Sequence, residues 1–460
     1  MKIAIVGAGI SGLYLATKLE QMSDIDVKIF ERAKTPGGKI RSLHIENRKC
    51  SDSSKHVDVL EQGAWRISED HKKMRVLLND HFNSEFEYPI TVSNEFPKYL
   101  EDPDISIFAS RLIEYGILNA TKMDILSGYV GSDEQPADGS ERHKGVFFGL
   151  SEGYASIVKS MYRRIRNHRN IHFRCGTMVK NIHSLENKVV VTSMGIESGI
   201  CKTEYFDKLF FACSPNQAQR CSGKDLQCHL RPLQSAIKPL PLCRIYRRSK
   251  VESDVFSDEI NPHKISYREI NVNKYWNIFS YTSGKLAEAW RGIFQKYLAN
   301  FADYKMFFWP EGTHTWKSLF NSCKYQMARN AVTLTGNVFI AGEAVSDTQG
   351  WSEGSLRSCD HVLSVFDNYN SCTNTEWKHQ YESKNDGSKI VFYKNRALDI
   401  SYWAEKHPGG PEIIAEIEKY TVNHDISERF DNAHLNDYAF AQLFALQVGS
   451  NPQGMQSKDS

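Results

Sequence analysis

The chain has 460 residues, enough for two or three domains with substantial hydrophobic cores. Its hydrophobic content of 41% and charged content of 24% are ordinary for a globular protein and exclude a disordered or fibrous chain. A net charge of +2 gives no broad attraction to nucleic acid or to anionic membranes.

Cysteine spacing and hydropathy indicate the cellular compartment of the protein. Ten cysteines are scattered without a C-x-x-C pair or a regular spacing, so the sequence predicts neither a zinc site nor a disulfide framework. The chain begins inside its first strand, which leaves no room for a signal peptide, and no apolar run approaches the roughly twenty residues of a membrane helix. We therefore expect a cytoplasmic protein that neither inserts into membranes nor binds nucleic acid. Its oligomeric state stays open.

The first element in the chain is a short β-branched strand that leads into a glycine turn. The strand is Ile3 to Val6, and residues 7–12 read G-A-G-I-S-G, a G-x-G-x-x-G turn. A helical segment follows, and a second strand ends at Glu31, nineteen positions (31 − 12) after Gly12. This order of strand, glycine turn, helix, strand and acidic residue is the dinucleotide-binding fingerprint.

Each part of the fingerprint has a physical role. Gly7 permits the tight turn, Gly9 lets a pyrophosphate approach the backbone, and Gly12 lets helix and strand pack closely. Together with Ser11 they begin a helix whose N-terminus offers free N–H groups and a positive dipole end to phosphates. Glu31 would accept hydrogen bonds from the ribose hydroxyls. The fingerprint alone leaves NAD and FAD both open.

A second glycine pair follows the acidic residue. Gly37 and Gly38 stand in E-R-x-x-x-x-G-G-K-x-R-S, which also contains Arg32, Lys39 and Arg41. This segment resembles the flavin-containing amine oxidase superfamily, which includes monoamine, polyamine and L-amino-acid oxidases. The resemblance implies FAD as the cofactor, with the loop beside its diphosphate and ribityl chain. Members more often carry arginine where this chain has Lys39, which keeps the charge.

Three later segments extend the same resemblance over about residues 1–366. One is similar to the family's glycine–alanine segment beside the flavin ring, one to its adenine-contacting strand, and one to its C-terminal flavin motif. The residues that the resemblance places at FAD in these segments are Gly63, Ala64, Trp65, Val179, Gly342, Glu343, Gly350, Trp351 and Ser352.

Three positions are candidates for contact with substrate or for the chemistry. An arginine at the place of Arg66 binds the substrate carboxylate in L-amino-acid oxidases, since a planar guanidinium can grip a carboxylate bidentately. Pairing with a protein carboxylate or an FAD phosphate is the alternative for Arg66. Trp351 would form an aromatic wall at the flavin face. Arg244 falls where the family usually has a lysine linked to oxygen reactivity, and its alternative is a strand residue that faces solvent.

The C-terminal part of the sequence carries a second motif. His407 begins H-P-G-G, and His434 ends a downstream F-x-x-x-H. The pair closely resembles the haem-binding core of the cytochrome b5 family, in which two histidines saturate the iron axially and leave no open position. The spacing of 27 residues (434 − 407) is longer than is usual in that family, and His424 is a competing second ligand.

These motifs predict an α/β Rossmann-type FAD-binding domain interleaved with an α+β substrate domain, followed by a small α+β cytochrome b5-like domain. The predicted boundaries are an FAD part at about 1–66, 150–225 and 325–366, a substrate part at about 67–149 and 226–324, a linker at 367–387, a haem-binding domain at 388–449 and a tail at 450–460.

The predicted activity is FAD-dependent oxidation of the C–N bond of a primary or secondary amine or an L-amino acid. The predicted cofactors are FAD and haem b, and the electron acceptor is O2 or an electron-transfer partner, with the haem as one route. A desaturase-like flavoprotein and a non-catalytic FAD and haem electron carrier are the alternatives.

Overall fold

The computed structural model describes most of the predicted FAD part (about residues 1–66, 150–225 and 325–366), here called the nucleotide-binding part. It describes less of the rest of the chain. The described residues are 1–22, 24–47, 56–65, 67–68, 71–81, 87–90, 147–150, 152–185, 188–248, 276–317, 324–369, 389–393, 396–401, 403–404, 407, 412, 425–434 and 437–450.

The strands of the described ranges have the following bounds in chain order: β1 Lys2–Val6, β2 Asp26–Phe30, β3 Ser42–Asn47, β4 His56–Glu61, β5 Ile67–Ser68, β6 Glu87–Ile90, β7 Phe147–Leu150, β8 Ile171–Arg174, β9 Thr177–Ser184, β10 Val189–Gly195, β11 Cys201–Phe206, β12 Lys208–Phe211, β13 Ile237–Arg248, β14 Trp276–Ser283, β15 Tyr304–Trp316, β16 Val338–Ile340, β17 Ile390–Tyr393, β18 Arg396–Asp399 and β19 Gln447–Ser450.

The α-helices of the described ranges are α1 Ile10–Leu19, α2 Lys72–His81, α3 Ala155–Ile165, α4 Pro215–Arg220, α5 Lys224–Ala236, α6 Gly284–Ile293, α7 Lys324–Ala331, α8 Ser352–Tyr369, α9 Ser427–Ala433 and α10 Asp437–Leu446. A π-helical turn, Phe294–Leu298, continues α6, and a 3₁₀ turn, Glu343–Val345, follows β16 closely. None of the helices within these ranges is long and apolar enough to cross a membrane.

Among the described residues, a five-stranded parallel sheet in the order β16-β12-β1-β2-β8 forms the centre of the nucleotide-binding part. The side chains of Ile3, Ala4 and Ile5 in β1 are all fully buried. Burial on both faces explains why this strand reads as a continuous apolar run rather than an alternating one. The predicted order of strand, helix and strand is confirmed by β1, α1 and β2.

Helices cover one face of the central sheet. Leu13 of α1, Ile157 of α3 and Phe366 of α8 are buried in one hydrophobic cluster with the sheet. The second face packs against α5, whose Leu226 and Leu230 are fully buried beside the central strands. The predicted boundary at 226 therefore falls inside a helix that packs with the nucleotide-binding part.

Antiparallel sheets make up most of the remainder. The described sheets are β3-β4, β5-β7-β6, β11-β10-β9 and β14-β13-β15. In the last of them, β13 lies between β14 and β15, and Cys243 and Ile245 pack against α6 in a separate hydrophobic cluster. Much of the predicted substrate part, including most of 67–149, lies outside the described residues.

The C-terminal residues form a small α+β unit, here called the C-terminal unit, that comprises β17, β18, β19, α9 and α10. Its sheet has the order β17-β18-β19, and Val391, Leu398 and Phe440 are buried in its own hydrophobic cluster. The two strands predicted after residue 388 are confirmed, and the predicted turn between them, at 394–395, lies outside the described residues. Most of the predicted linker at 367–387 lies outside the described residues, and α8 extends to Tyr369.

The C-terminal unit packs directly on the nucleotide-binding part. The guanidinium of Arg231 in α5 lies 4.2 Å from the ring centroid of Phe440 in α10. Asn330 of α7 donates a hydrogen bond of 2.9 Å to the carbonyl of Gln447. Arg396 of β18, fully buried, donates from Nη2 to the carbonyl of Thr333, just after α7, at 3.5 Å. These contacts hold the unit against α5 and α7.

Candidate functional site

The first glycine turn lies at the carboxyl end of β1, where the topology of a parallel sheet places ligand sites. A Cβ on Gly12 would stand 1.9 Å from the carbonyl oxygen of Gly7, so only glycine permits this contact between turn and helix. Gly9 is the N-cap of α1, and within the described residues no side chain caps this helix. With Ser11 also buried in the first turn, the N–H groups at this end stay available to an anion.

The second glycine loop packs on the first. The N–H of Gly37 donates to the carbonyl of Ala8 at 2.8 Å. A Cβ on Gly38 would lie 3.1 Å from the Cα of Gly9, and Gly38 has a φ of +59°. Two glycine backbones thus meet without a side chain between them, next to the open end of α1. This arrangement gives an extended ligand access to both loops.

Glu31 stands beside the first turn, as the fingerprint predicts. Its carboxylate oxygens accept hydrogen bonds of 2.8 Å from the N–H groups of Ala8 and Ala33. An ionised carboxylate has about four acceptor positions, so two remain for ribose hydroxyls. Arg32 is exposed at this edge, and β9, which contains Val179, begins where the N–H of Thr177 donates to the carbonyl of Glu31 at 2.9 Å.

Glu343 connects four segments of the site. Its carboxylate accepts hydrogen bonds from the N–H of Gly350 at 2.7 Å, from the N–H of His314 at 2.9 Å and from Nδ1 of His314 at 2.8 Å. The hydroxyl of Thr313 donates at 3.1 Å, and Nζ of Lys39 lies 3.7 Å away. Burial alone would raise the pKa of Glu343, but these charges and donors outweigh it and lower the pKa to about 2.

Lys39, Gly63 and Arg41 contact backbone carbonyl groups of the protein itself. Nζ of Lys39 donates to the carbonyls of Gly312 at 2.8 Å and of Glu311 at 3.3 Å. A Cβ on Gly63 would lie 2.0 Å from the carbonyl oxygen of Lys39, so the glycine–alanine segment packs tightly on the second loop. Arg41 is exposed and donates from Nε to the carbonyl of Gly38 at 3.1 Å.

Gly342 closes the same site from the end of β16. It has a φ of +146°, and a Cβ on it would lie 3.7 Å from the hydroxyl of Ser11 in α1. Its N–H donates to the hydroxyl of Ser358 at 2.8 Å. The C-terminal glycine–glutamate pair and the first glycine turn, more than 300 residues apart in the sequence, are therefore adjacent in space.

The glycine–alanine segment continues into a buried aromatic residue. Trp65 is 3% exposed, and Ala64 packs partly against the main hydrophobic cluster. Arg66, predicted as a carboxylate-binding residue, lies outside the described residues. Its role stays a prediction.

Arg244 is a correction to one alternative in the sequence interpretation. Its side chain is 0% exposed, so it does not face solvent. Nη1 donates to the carbonyl of Glu61 at 2.7 Å, and the guanidinium lies 5.3 Å from the ring centroid of Trp65. The hydroxyl of Tyr246 donates to the same carbonyl at 3.0 Å. A strand buried on both faces loses the alternation from which exposure is inferred.

Trp351 directly precedes α8 and is half-buried. Its ring lies 4.7 Å from that of His71, with an angle of 66° between the planes. The adjacent Ser352 hydrogen-bonds Tyr154, and burial raises the pKa of Tyr154 above its usual value. The position at the start of a helix beside Gly350 agrees with the predicted motif.

The two predicted haem ligands lie close together in the C-terminal unit. The ring centroids of His407 and His434 are 5.9 Å apart, and the ring planes are at 87°. His434 stacks on Phe430 at 4.2 Å, and its Nδ1 lies 3.2 Å from the carbonyl of Phe430. Burial and the nearby His434 lower the pKa of His407. Residues 408–411 and His424 lie outside the described residues.

Sequence reasoning missed His314 and Thr313. Both lie on β15 and contact Glu343, and His314 is 3% exposed. The signal available was the run Glu311 to His314 inside an otherwise aromatic strand. The pairing partner is 29 positions away (343 − 314), so no local pattern indicates it.

Comparison with known proteins agrees with this geometry at the level of the fold. Residues 5–79 match a family model described as an NAD(P)-binding Rossmann-like domain. The first part of the chain is a Rossmann-type nucleotide-binding domain. No curated protein matches the sequence.

Solved structures extend the likeness over most of the chain. One is a crystal structure of a protein provisionally described as a protoporphyrinogen oxidase from Exiguobacterium sp. 255-15. It is 13% identical and matches with a TM-score of 0.51 over 79% of this chain and 98% of its own. In all, 749 solved chains match, so the likeness shows a widely shared fold and does not choose among activities.

Proposed function

We propose that this protein is an FAD-dependent oxidoreductase that oxidises the C–N bond of an amine or L-amino acid. The observation that carries the proposal is the contact between the two glycine loops at the open N-terminus of α1. Gly38 lies against Gly9, and Gly342 lies against Ser11. An NAD site needs only the first turn, whereas a longer diphosphate and ribityl chain would use all three segments.

The chain's own residues fit such a cofactor in two ways. The N–H groups at the start of α1 would bind the diphosphate, and Glu31 would bind the adenosine ribose through its remaining acceptor positions. Bound FAD would supply hydride acceptance at its flavin ring. The protein would then have to bind the substrate, orient its reacting carbon and exclude water.

The proposed substrate class rests on Trp351 and Arg66, and the proposed electron acceptor rests on Arg244. A half-buried tryptophan beside a buried histidine offers an aromatic face to a neutral amine. Arginine at 66 would suit a carboxylate, which favours an amino acid over a simple amine. Arginine rather than lysine at 244 is a reason to expect slow reaction with O2, so that another acceptor would take the electrons.

An absorption spectrum of the purified protein is the first test, since bound flavin has characteristic visible bands. Anaerobic addition of L-amino acids, polyamines and aryl amines in turn should bleach those bands with one class. A porphyrinogen is included because of the fold likeness. If only the porphyrinogen bleaches the flavin, the proposed amine or amino-acid substrate class is wrong. If no compound bleaches it, a non-catalytic electron carrier is favoured.

The histidine pair supports a second part of the proposal, a bis-histidine haem in the C-terminal unit. A metal–imidazole bond is about 2 Å long, so two rings that share one ion have centroids roughly 6 Å apart. The observed separation of 5.9 Å agrees with this. Contact of His434 Nδ1 with the Phe430 carbonyl leaves Nε2 for the iron, as in other metal-bound histidines. Such a haem would serve electron transfer.

Substitution tests the haem ligands directly. The His407→Ala and His434→Ala variants should both lose the haem absorption bands, while His424→Ala should keep them. If His424→Ala loses the haem bands and His434→Ala keeps them, the second haem ligand is His424 and not His434. Flavin that bleaches anaerobically while the haem stays oxidised would rule out internal transfer and leave O2 or an external partner as the acceptor.

A further inference from the structure

One buried polar atom of the site has no hydrogen-bond partner among the described residues: Nε2 of His314. The side chain is 3% exposed, and its other ring nitrogen lies 2.8 Å from the Glu343 carboxylate. An ionised carboxylate only accepts hydrogen bonds, so Nδ1 must be the donor in that contact. Because a buried polar atom without a partner costs free energy, Nε2 is expected to bond a group that the described residues do not supply.

The surroundings of His314 indicate what that group is. The same strand, β15, contributes the Gly312 carbonyl that holds Lys39. Glu343, which holds the imidazole, directly follows Gly342, and Gly342 lies against Ser11 at the start of α1. His314 is therefore placed among the segments to which the proposed function assigns FAD, although it belongs to none of the three motifs.

Glu343 is less suited than His314 to contact that cofactor. Its carboxylate already accepts four hydrogen bonds within the protein, and its low pKa keeps it negatively charged. A negative charge repels phosphate oxygens. Nε2 of His314, opposite the protonated Nδ1, is a hydrogen-bond acceptor in the neutral ring and can accept from a ribityl or ribose hydroxyl. The carboxylate is thus placed to orient the ring that makes the contact.

We propose that His314 is a cofactor-contacting residue whose Nε2 accepts a hydrogen bond from a hydroxyl of the bound dinucleotide, with Glu343 as the residue that positions its ring. This inference rests on the proposed dinucleotide site and goes beyond it, since it assigns a contact that the motifs do not contain. Nδ1 of His314 then bonds Glu343 within the protein, and Nε2 bonds the ligand.

Two substitutions separate these two roles. The side-chain amide of asparagine reaches the place of Nδ1, and that of glutamine reaches the place of Nε2. His314→Asn should keep the thermal midpoint of the cofactor-free protein and raise the Kd for FAD about tenfold, equivalent to about 1.4 kcal/mol. His314→Gln should lower the thermal midpoint of the cofactor-free protein and change the Kd much less.

The measurements are fluorescence titration with FAD and thermal unfolding of the cofactor-free protein. His172→Asn is the matched control, because His172 pairs with Asp26 at 3.0 Å on the surface and should change neither quantity. An unchanged Kd in His314→Asn would overturn the inference while leaving the proposed function intact. Titration of the wild type with NADH distinguishes failure of the inference about His314 from failure of the proposed function. If NADH binds and FAD does not, the proposed cofactor is wrong. The same two variants then test whether His314 contacts NADH. Binding of neither overturns both.

Discussion

Gly38 lies directly against Gly9, so that a Cβ on Gly38 would stand 3.1 Å from the Cα of Gly9. This contact joins two loops separated by a helix and a strand, and it determines how close a ligand comes to both backbones.

Gly38→Ala should weaken FAD binding by at least about tenfold and lower the thermal midpoint. The new methyl group would separate the two loops, and the φ of +59° would add backbone strain on the order of 1 kcal/mol. Gly176→Ala is the matched control, because Gly176 has a φ of +65° but nothing within 4 Å of its ideal Cβ. Equal losses of FAD affinity in the two variants would show that strain alone, and not the loop contact, is responsible.

Glu343→Gln should make the stability of the cofactor-free protein less sensitive to acid. Folding lowers the pKa of Glu343 from its ordinary 4.5 to about 2, so its ionised form stabilises the fold above pH 4.5 and this contribution is lost as the pH falls toward 2. The wild type should exceed the variant by on the order of 3 kcal/mol at pH 7, and by less at each step below pH 4.5.

Urea unfolding of the cofactor-free protein at several pH values measures this difference. Glu197→Gln is the control, since Glu197 forms an exposed ion pair with Lys34 and should leave the pH profile as it is. A constant difference between wild type and Glu343→Gln from pH 7 to pH 3 would contradict the expectation.

Arg231→Met should loosen the C-terminal unit from α5. The substitution removes the guanidinium that lies 4.2 Å from the ring of Phe440, a contact worth about 0.5 to 2 kcal/mol. Hydrogen exchange in β17, β18 and α10 should become faster while exchange in the central sheet stays unchanged. Arg291→Met removes a similar contact with Phe308 at 4.6 Å elsewhere and should not affect the C-terminal unit. The same acceleration in both variants would argue against a specific docking contact.

Trp351→Ala should lower kcat/KM for the substrate at least about tenfold and leave the flavin spectrum in place. Its ring contacts His71 rather than filling a fully buried core position, so the loss should fall on substrate orientation more than on folding. Phe301→Ala, at a ring that is 60% exposed, provides the control. Retained kcat/KM in Trp351→Ala would remove tryptophan from the proposed substrate contacts.

The nucleotide-binding part could be predicted from the sequence because its determinants are local. The strand from Ile3, the turn at Gly7 to Gly12 and the strand before Glu31 follow one another, and each has its own pattern of burial or backbone freedom. The same holds for β16 and Gly342. The position of the boundary near 226 could not be predicted, since the amphipathic pattern of α5 does not say which sheet its leucines cover.

Arg244 and His314 show why the other contacts of the site could not be predicted from local sequence patterns. Both lie on long strands whose neighbours come from distant segments, and β13 is buried on both faces around Arg244. A period of two indicates which residues share a face, but it does not indicate what covers that face. The predicted roles of Arg66 and of the haem ligands stay predictions.

The amino-acid sequence by itself determined the dinucleotide-binding turn, the acidic residue after the second strand and the identity of the glycine loops, because glycine conformation and strand burial are properties of short segments. Only the tertiary structure decided that Gly38 meets Gly9, that Arg244 is buried against Glu61 and that His314 pairs with Glu343. These contacts join residues 29 to 183 positions apart (343 − 314 and 244 − 61), and packing of the whole chain, rather than any local preference, brings them together.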